Sequence, residues 1–207
     1  MAKIDYLKLQ PELYKASAKT PVMVEVPPFP FLMADGVGDP NAAPEFQQAV
    51  EALFSVSYTL KFTIKKEQGQ DYGVLPLEGL WAMADGSVFD VEARDRWSWT
   101  LMIRQPEFIT PDLVDQALTQ VRAKKDLPVL AKLKFSRFHE GLSAQIIHVG
   151  PYCDEGPTIE SLHRFIQEQG YQLGGRHHEI YLGDPRRTAP ARLKTILRQP
   201  ITLEAAR

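Results

Sequence analysis

Apolar and polar positions follow two periods along the chain, and the switches between them mark the elements. Residues 29–35 form a short apolar run that reads as a strand, ending at the turn Gly36-Val37-Gly38-Asp39-Pro40. Pro44 then opens a segment in which Phe46, Val50, Leu53, Leu60 and Ile64 keep helical spacing, which predicts a helix to about Lys66. Residues 74–84 and 96–104 read as strands joined by a polar turn at Asp85-Gly86-Ser87. Thr110-Pro111-Asp112 combines a cap, a first-turn proline and a first-turn acid, and Leu113, Ala117, Leu118 and Val121 carry the following helix toward a core. Residues 132–138 and 142–149 are expected to pair across His139-Glu140-Gly141. Gly150-Pro151 turns the chain, and Pro157 opens a helix with Ile159, Leu162 and Ile166 on one face. Gly170 stands at the C-terminal cap, and 179–183 and 194–200 read as closing strands.

The order of these elements repeats. Leu101-Met102-Ile103-Arg104-Gln105-Pro106 is echoed by Thr195-Ile196-Leu197-Arg198-Gln199-Pro200. Pro76-Leu77-Glu78-Gly79-Leu80-Trp81 is echoed more weakly by His177-His178-Glu179-Ile180-Tyr181-Leu182, and Val37-Gly38 with Pro44 by Val149-Gly150 with Pro157. The offset between copies shrinks along the chain, so the first copy carries the longer helix and hairpin. The expected fold class is α+β: two pseudo-symmetric strand-helix-strand-strand modules with antiparallel sheets and helices on one face. The copies span about 22–106 and 132–201, with a linking helix at 110–125, in one domain covering 1–207. A ligand groove is expected between the halves.

Composition narrows the function. Hydrophobic residues make up 44% and charged residues 24%, and the net charge is −2 with basic residues scattered, which leaves no concentrated positive field for nucleic acid. The lone Cys153, the charges at Lys3, Asp5 and Lys8, and the lack of a long apolar run point to a cytoplasmic chain without a membrane partner. His177 and His178 are adjacent in a strand and point to opposite faces, so no metal site is expected. Gly36-Val37-Gly38 lacks the third glycine of a dinucleotide cradle, and no organic cofactor is expected either.

Several motifs carry a family resemblance. Phe31-Leu32-Met33-Ala34-Asp35-Gly36-Val37-Gly38-Asp39-Pro40, Tyr72-Gly73-Val74-Leu75-Pro76-Leu77-Glu78-Gly79-Leu80-Trp81 and His148-Val149-Gly150-Pro151-Tyr152 with Glu155-Gly156-Pro157 are three of them. The most specific is His178-Glu179-Ile180-Tyr181-Leu182-Gly183-Asp184-Pro185-Arg186-Arg187-Thr188. Together they resemble the GyrI-like family over roughly residues 20–201. The resemblance implies a paired strand-helix-strand-strand fold (the SHS2 repeat) with a ligand groove. It also implies one of the family's roles: multidrug-sensing effector domain, gyrase inhibitor, or stand-alone protein. Some stand-alone members hydrolyse the cyclopropane ring of DNA-alkylating antibiotics, a form of xenobiotic resistance. With too few residues before Val22 for a helix-turn-helix domain, a one-piece regulator is not expected. Ala82 departs from the second tryptophan expected after Trp81 in many stand-alone relatives.

Glu179 is the leading candidate for chemistry. Strand parity groups it with His177 and Tyr181, away from Ile180 and Leu182. A carboxylate beside aromatic rings can balance a lipophilic cation, or, desolvated, act as a general acid or base. The resemblance implies that the matching glutamate anchors ligand and, in the hydrolases, is catalytic; the plainer alternative is a solvated glutamate paired with Arg186 or Arg187. Tyr72 is a second catalytic candidate, as a donor to a developing oxygen. Trp97 and Trp99 share a strand face and form either a wall for a planar ligand or ordinary core. Glu78, the expected counterpart of Glu179, and Trp81 complete the ligand-binding candidates, with Trp81 leaning toward core. The expected partner is a small planar or cationic organic molecule. The leading function is drug or xenobiotic binding, with cyclopropane hydrolysis as its enzymatic form. The alternatives are a non-catalytic sensor or sequestering module for lipophilic cations, and a gyrase-inhibitor-like protein-interaction module.

Overall fold

In chain order the elements are α1 (Tyr6–Leu9), α2 (Pro11–Tyr14), β1 (Val22–Val26), β2 (Phe29–Val37), α3 (Pro44–Gln68), β3 (Leu77–Met83), β4 (Trp97–Arg104), α4 (Pro111–Arg122), β5 (Lys134–Phe138), β6 (Gly141–Val149), α5 (Gly156–Glu168), β7 (Tyr171–Leu173), β8 (His177–Tyr181) and β9 (Lys194–Leu203). The computed structural model describes residues 3–90 and 92–203. These form two units: the first runs up to Tyr6 and then over Phe29–Phe138, and the second takes Leu7–Pro28 and the chain from His139 onward.

The first unit is an antiparallel sheet in the order β3-β4-β2-β5, with α3 and α4 packed on one face. Pro44 starts α3 and Gly69, at φ 68°, ends it in a left-handed conformation that an L side chain rarely adopts. Ala49, Ala52, Leu53, Val56, Leu60 and Ile64 line the buried side of the helix and meet Leu32, Ala34, Trp81, Trp99, Leu101 and Ile103 of the sheet. Burying each large side chain of this set stabilises the unit by roughly 1.5–3 kcal/mol. Thr110 caps α4 by accepting from the Leu113 amide at 3.4 Å, and Val114, Ala117, Leu118 and Val121 seat that helix in the same core.

The second unit is an antiparallel sheet in the order β1-β6-β9-β8, with β7 pairing an extension of β9. α5 covers one face, and Leu162 and Ile166 pack on Ala144, Ile146, Leu197 and Ile201. Gly170, at φ 79°, carries the chain away from α5. On the other face the backbone around α2 is tied down by side chains: Gln145 Nε2 donates to the Glu12 carbonyl at 2.7 Å and Arg198 donates to the Leu13 carbonyl at 2.8 Å.

The fold is α+β, with two strand-helix-strand-strand modules. In each, the last strand inserts between the first two: β2-α3-β3-β4 gives the order β2-β4-β3, and β6-α5-β8-β9 gives β6-β9-β8. Two features differ from the pattern-based expectation. The hairpin between 132–138 and 142–149 does not form, because β5 pairs with β2 while β6 pairs with β1 and β9. The intervening Glu140 is instead drawn into the second unit by His178 and Arg198. The unit boundaries also differ from the repeat boundaries: β1 joins the second unit and β5 the first, each as a fourth strand. The first turns α1 and α2 and the short β7 had no periodic signal long enough to show. Among the described residues, no helix is long and apolar enough to cross a membrane.

Candidate functional site

β8 pairs with β9 so that Glu179 lies opposite Leu197 and Tyr181 opposite Thr195. Leu197 faces α5, so His177, Glu179 and Tyr181 also point to the α5 side of the sheet. There the Tyr181 hydroxyl donates to Glu179 Oε2 at 2.7 Å, and His177 Nε2 lies 3.8 Å from Glu179 Oε1. Burial pushes Glu179 well above the ordinary carboxylate range, against the Tyr181 hydrogen bond and the His178 charge, which favour the anion. Burial also drives His177 down to about 4, so its imidazole is neutral at physiological pH. The contact between His177 and Glu179 is therefore not an ion pair.

A second acid joins this centre from the start of α5. The short turn Tyr152–Asp154 packs the Tyr152 ring on the edge of Tyr181, with centroids 5.5 Å apart, and Glu155 follows as the N-cap residue of α5. Glu155 is only 5% exposed, and its Oε1 has no hydrogen-bond partner. Burial, followed by the neighbouring Glu179, raises Glu155 above the ordinary range, with Thr195 opposing weakly. Burial and then the Glu155, Glu179 and Asp184 carboxyls push the Tyr152 phenol up to about 12. Beside them, His148 Nδ1 lies 2.9 Å from the Thr158 hydroxyl, which fixes the ring against α5. Burial of both carboxyls, with the Glu179 charge acting on Glu155, keeps the pair protonated above the ordinary carboxylate range and separates the loss of its two protons. Such a pair can accept a proton at one group and donate one at the other.

The opposite face of β8 carries a buried network of charged and polar groups. His178 Nδ1 lies 2.9 Å from Glu140 Oε1, Arg198 donates to Glu140 Oε2 at 3.1 Å, and Arg198 Nε donates to Gln145 Oε1 at 2.9 Å. The Glu140, His178 and Arg198 side chains are 1%, 1% and 4% exposed. Burial opposes ionisation of Glu140, yet His178 and Arg198 together hold it down to about 2.

The remaining sequence candidates lie in the first unit. Trp81 and Trp99 are opposite one another in the register and face α3, where the Phe46 ring stacks on Trp81 at 6.1 Å and meets Trp99 edge-on at 5.1 Å. Both indoles are buried, and neither Nε1 has a hydrogen-bond partner. Trp97 is half-buried; it lies 5.7 Å from Trp81 and 5.0 Å from Phe89, and its Nε1 donates to the Asp90 carbonyl at 2.7 Å. Tyr72 sits in the core, 5.7 Å from Phe108, with an unpartnered hydroxyl that burial drives to a raised pKa. Glu78 is 2% exposed and lies opposite Met102, on the face of the sheet away from α3. Glu179 lies on the helix side of its own sheet, so the register corrects the expectation that Glu78 is its counterpart. Within the first unit the structure joins the three tryptophans through Phe46 and direct contacts, while Glu78 faces away from them.

Glu155, Tyr152 and Glu140 were not among the sequence candidates for chemistry. Glu155 had one signal, an acid directly before Gly156-Pro157 at a helix start. Glu140 had another, since Arg198 in an otherwise apolar central strand requires a buried counter-charge. A surface depression of about 410 Å³ between the end of α4 and Ala131 contains none of these groups. Among the described residues, no group of three or more His, Cys, Asp or Glu is arranged to hold a metal ion.

Known structures share this fold. An uncharacterized conserved protein from Listeria innocua is 38% identical, with 97% of this chain and 100% of that chain covered at a TM-score of 0.90. A hydrolase from Listeria innocua is 37% identical with the same coverage and a TM-score of 0.83. The EcmrR C-terminal domain, 13% identical with 89% of this chain and 98% of that chain covered, reaches a TM-score of 0.55 and shares the fold alone. None of the curated proteins is significantly similar in sequence. The sequence profile of the GyrI-like small molecule binding domain matches residues 19–201. With nearly the whole chain matched and the paired module in place, this protein belongs to the GyrI-like small molecule binding domain family.

Proposed function

We propose that this chain binds a small planar organic molecule and hydrolyses a strained, electrophilic ring in it, with Glu179 as the base. The observation that carries this reading is the desolvated carboxyl pair, Glu179 held by Tyr181 and Glu155 beside it, on the α5 side of β8. Its similarity to a hydrolase over 97% of the chain supports the same class of chemistry. The substrate class is a cyclopropane fused to a conjugated dienone, the reactive group of DNA-alkylating antibiotics.

Glu179 takes a proton from water as the water oxygen bonds to the less hindered cyclopropane carbon. The breaking carbon–carbon bond sends its electron pair through the dienone to the ketone oxygen, which becomes a phenolate and is protonated to a phenol. The net reaction adds one water and requires no oxidant or reductant. An acid at the ketone oxygen completes the cycle, and protonated Glu155 or the Tyr181 hydroxyl is the donor available at this centre.

Incubation of the purified chain with a spirocyclopropyl-dienone antibiotic in ¹⁸O-labelled water tests the reading. The expected product is the ring-opened, ¹⁸O-labelled alcohol, formed by the native chain and lost in Glu179→Gln. Turnover that survives Glu179→Gln would sink the proposal. Tyr72, as the second catalytic candidate, and Glu78, Trp81, Trp97 and Trp99, as ligand-binding candidates, enter the same assay as separate alanine or phenylalanine variants.

A second reading rests on the Tyr152 and Tyr181 rings that flank the Glu179 centre. In it the chain sequesters a lipophilic cation without turning it over. A cation seated there favours ionised Glu179, so binding releases a proton. Calorimetry in buffers of different ionisation enthalpy detects that release, and its absence excludes a charge anchor.

A further inference from the structure

The outer side of α3 carries an aromatic ladder that the fold does not use. Phe54, Tyr58 and Phe62 recur every four residues, with ring centroids 6.3 and 6.2 Å apart and interplanar angles of 29° and 25°. Tyr58 is 46% exposed and Phe62 is 60% exposed, while Phe54 is half-buried against the core. A contiguous aromatic stripe in water is a feature that soluble surfaces normally reserve for a partner.

The charges around the ladder say which partner. Glu51 lies seven residues before Tyr58 and Lys65 seven after, on the same stripe as the rings. The sequence Glu-Phe-Tyr-Phe-Lys is therefore symmetric in spacing about Tyr58 and opposite in charge at its two ends. Such a pattern is complementary to itself read backwards. We propose that this chain pairs with a second copy of itself through the outer face of α3, the two helices antiparallel about a two-fold axis at Tyr58.

In that arrangement each Phe62 meets the partner's Phe54, the two Tyr58 rings meet at the axis, and Lys65 meets the partner's Glu51. The parallel alternative sets Glu51 against Glu51 and Lys65 against Lys65, which repel. Within one chain Glu51 already binds Lys125 at 2.7 Å, and Lys65 binds Asp71 at 2.8 Å. The two-fold therefore lines up charges of alternating sign, from Lys125 through Glu51 to the partner's Lys65 and its Asp71. The segment from Glu51 to Lys65 is about 21 Å long at ~1.5 Å per residue. A helix pair of that length buries less than the ~800 Å² per partner of a standard interface, so the dimer is weak and depends on concentration.

Sedimentation equilibrium of the full chain, from micromolar to millimolar concentration, tests the proposal. A reversible monomer–dimer equilibrium is expected, and Phe62→Glu raises its dissociation constant by about tenfold or more with an unchanged circular dichroism spectrum. Glu51→Lys weakens the dimer, and adding Lys65→Glu to the same chain restores it, because both crossing pairs invert together. In a Cys153→Ser background, Tyr58→Cys cross-links to itself on mild oxidation. A chain that stays monomeric throughout the range overturns the proposal. So does a dimer indifferent to Phe62→Glu, or a double charge reversal that fails to restore pairing.

Discussion

Replacing Glu140 by glutamine removes the counter-charge on which β8 is mounted. Glutamine keeps the volume and one acceptor, but it leaves the buried Arg198 guanidinium with neutral partners alone, the new amide, Gln145 and the Leu13 carbonyl. Neutralising one member of a buried, hydrogen-bonded ion pair costs about 3–5 kcal/mol, because the remaining charge loses its compensation. The same pairing shows as proton linkage, since His178 and Arg198 hold Glu140 well below its ordinary value against the cost of burial. The sign follows from a depressed pKa: the stabilisation is complete above the ordinary carboxylate range and is lost as pH falls toward 2. Glu140→Gln is therefore expected to cost about 3–5 kcal/mol at neutral pH and progressively less in acid. All three tryptophans lie in the first unit, so their fluorescence is the wrong probe for this one. Hydrogen exchange of the β8 and β9 amides during urea denaturation reads the second unit directly. Pairing Glu140→Leu with Arg198→Met is expected to recover most of the loss, since an apolar pair needs no desolvated charge. A cost below about 1 kcal/mol at neutral pH would refute the reasoning, because it would mean that Arg198 reaches water or another anion.

Two further outcomes follow from the packing and the titration of the site. A Cβ on Gly36 would overlap the Trp99 ring, which is itself fully buried, so Gly36→Ala is expected to cost about 1–3 kcal/mol, read as a lower melting temperature with a shifted tryptophan emission. Glu155 and Glu179 carry raised pKa values, so the folded chain binds more protons than the unfolded chain above the ordinary carboxylate range, and stability falls as pH rises through that window toward neutrality. Glu155→Gln removes one of the two titrations and is expected to flatten this slope in urea midpoints measured from pH 5 to 8, whereas an unchanged slope would show that the carboxyls are solvated.

How much was legible in the chain depends on the range of the interaction. The helix from Pro44 shows in the spacing of Phe46, Val50, Leu53, Leu60 and Ile64, because one face of a helix is a local repeat; the structure extends it only to Gln68. Thr110 as a cap was equally local, and it accepts from Leu113. Strand parity placed His177, Glu179 and Tyr181 together, and the register with β9 keeps them on one face. The repeat was visible in its echoes, but the fourth strand of each module was not. β1 and β5 are assigned by hydrogen bonds to β6 and β2, segments far away in the sequence, and such pairing leaves no local mark.

The amino-acid sequence by itself therefore determined the longer elements, the paired module and the family, since periodicity, caps and motifs are properties of neighbouring residues. It also singled out Glu179. Only the tertiary structure decided what surrounds that glutamate. Glu155, Tyr152 and Thr195 reach it because β9 inserts beside β8 while α5 lays its first turn on the same face. Glu78 ends on the opposite kind of face for the same reason, as its register with β4 sets it beside Met102 rather than under α3. A side chain's protonation depends on burial and on charges contributed by distant segments, and these exist only once the sheets have formed.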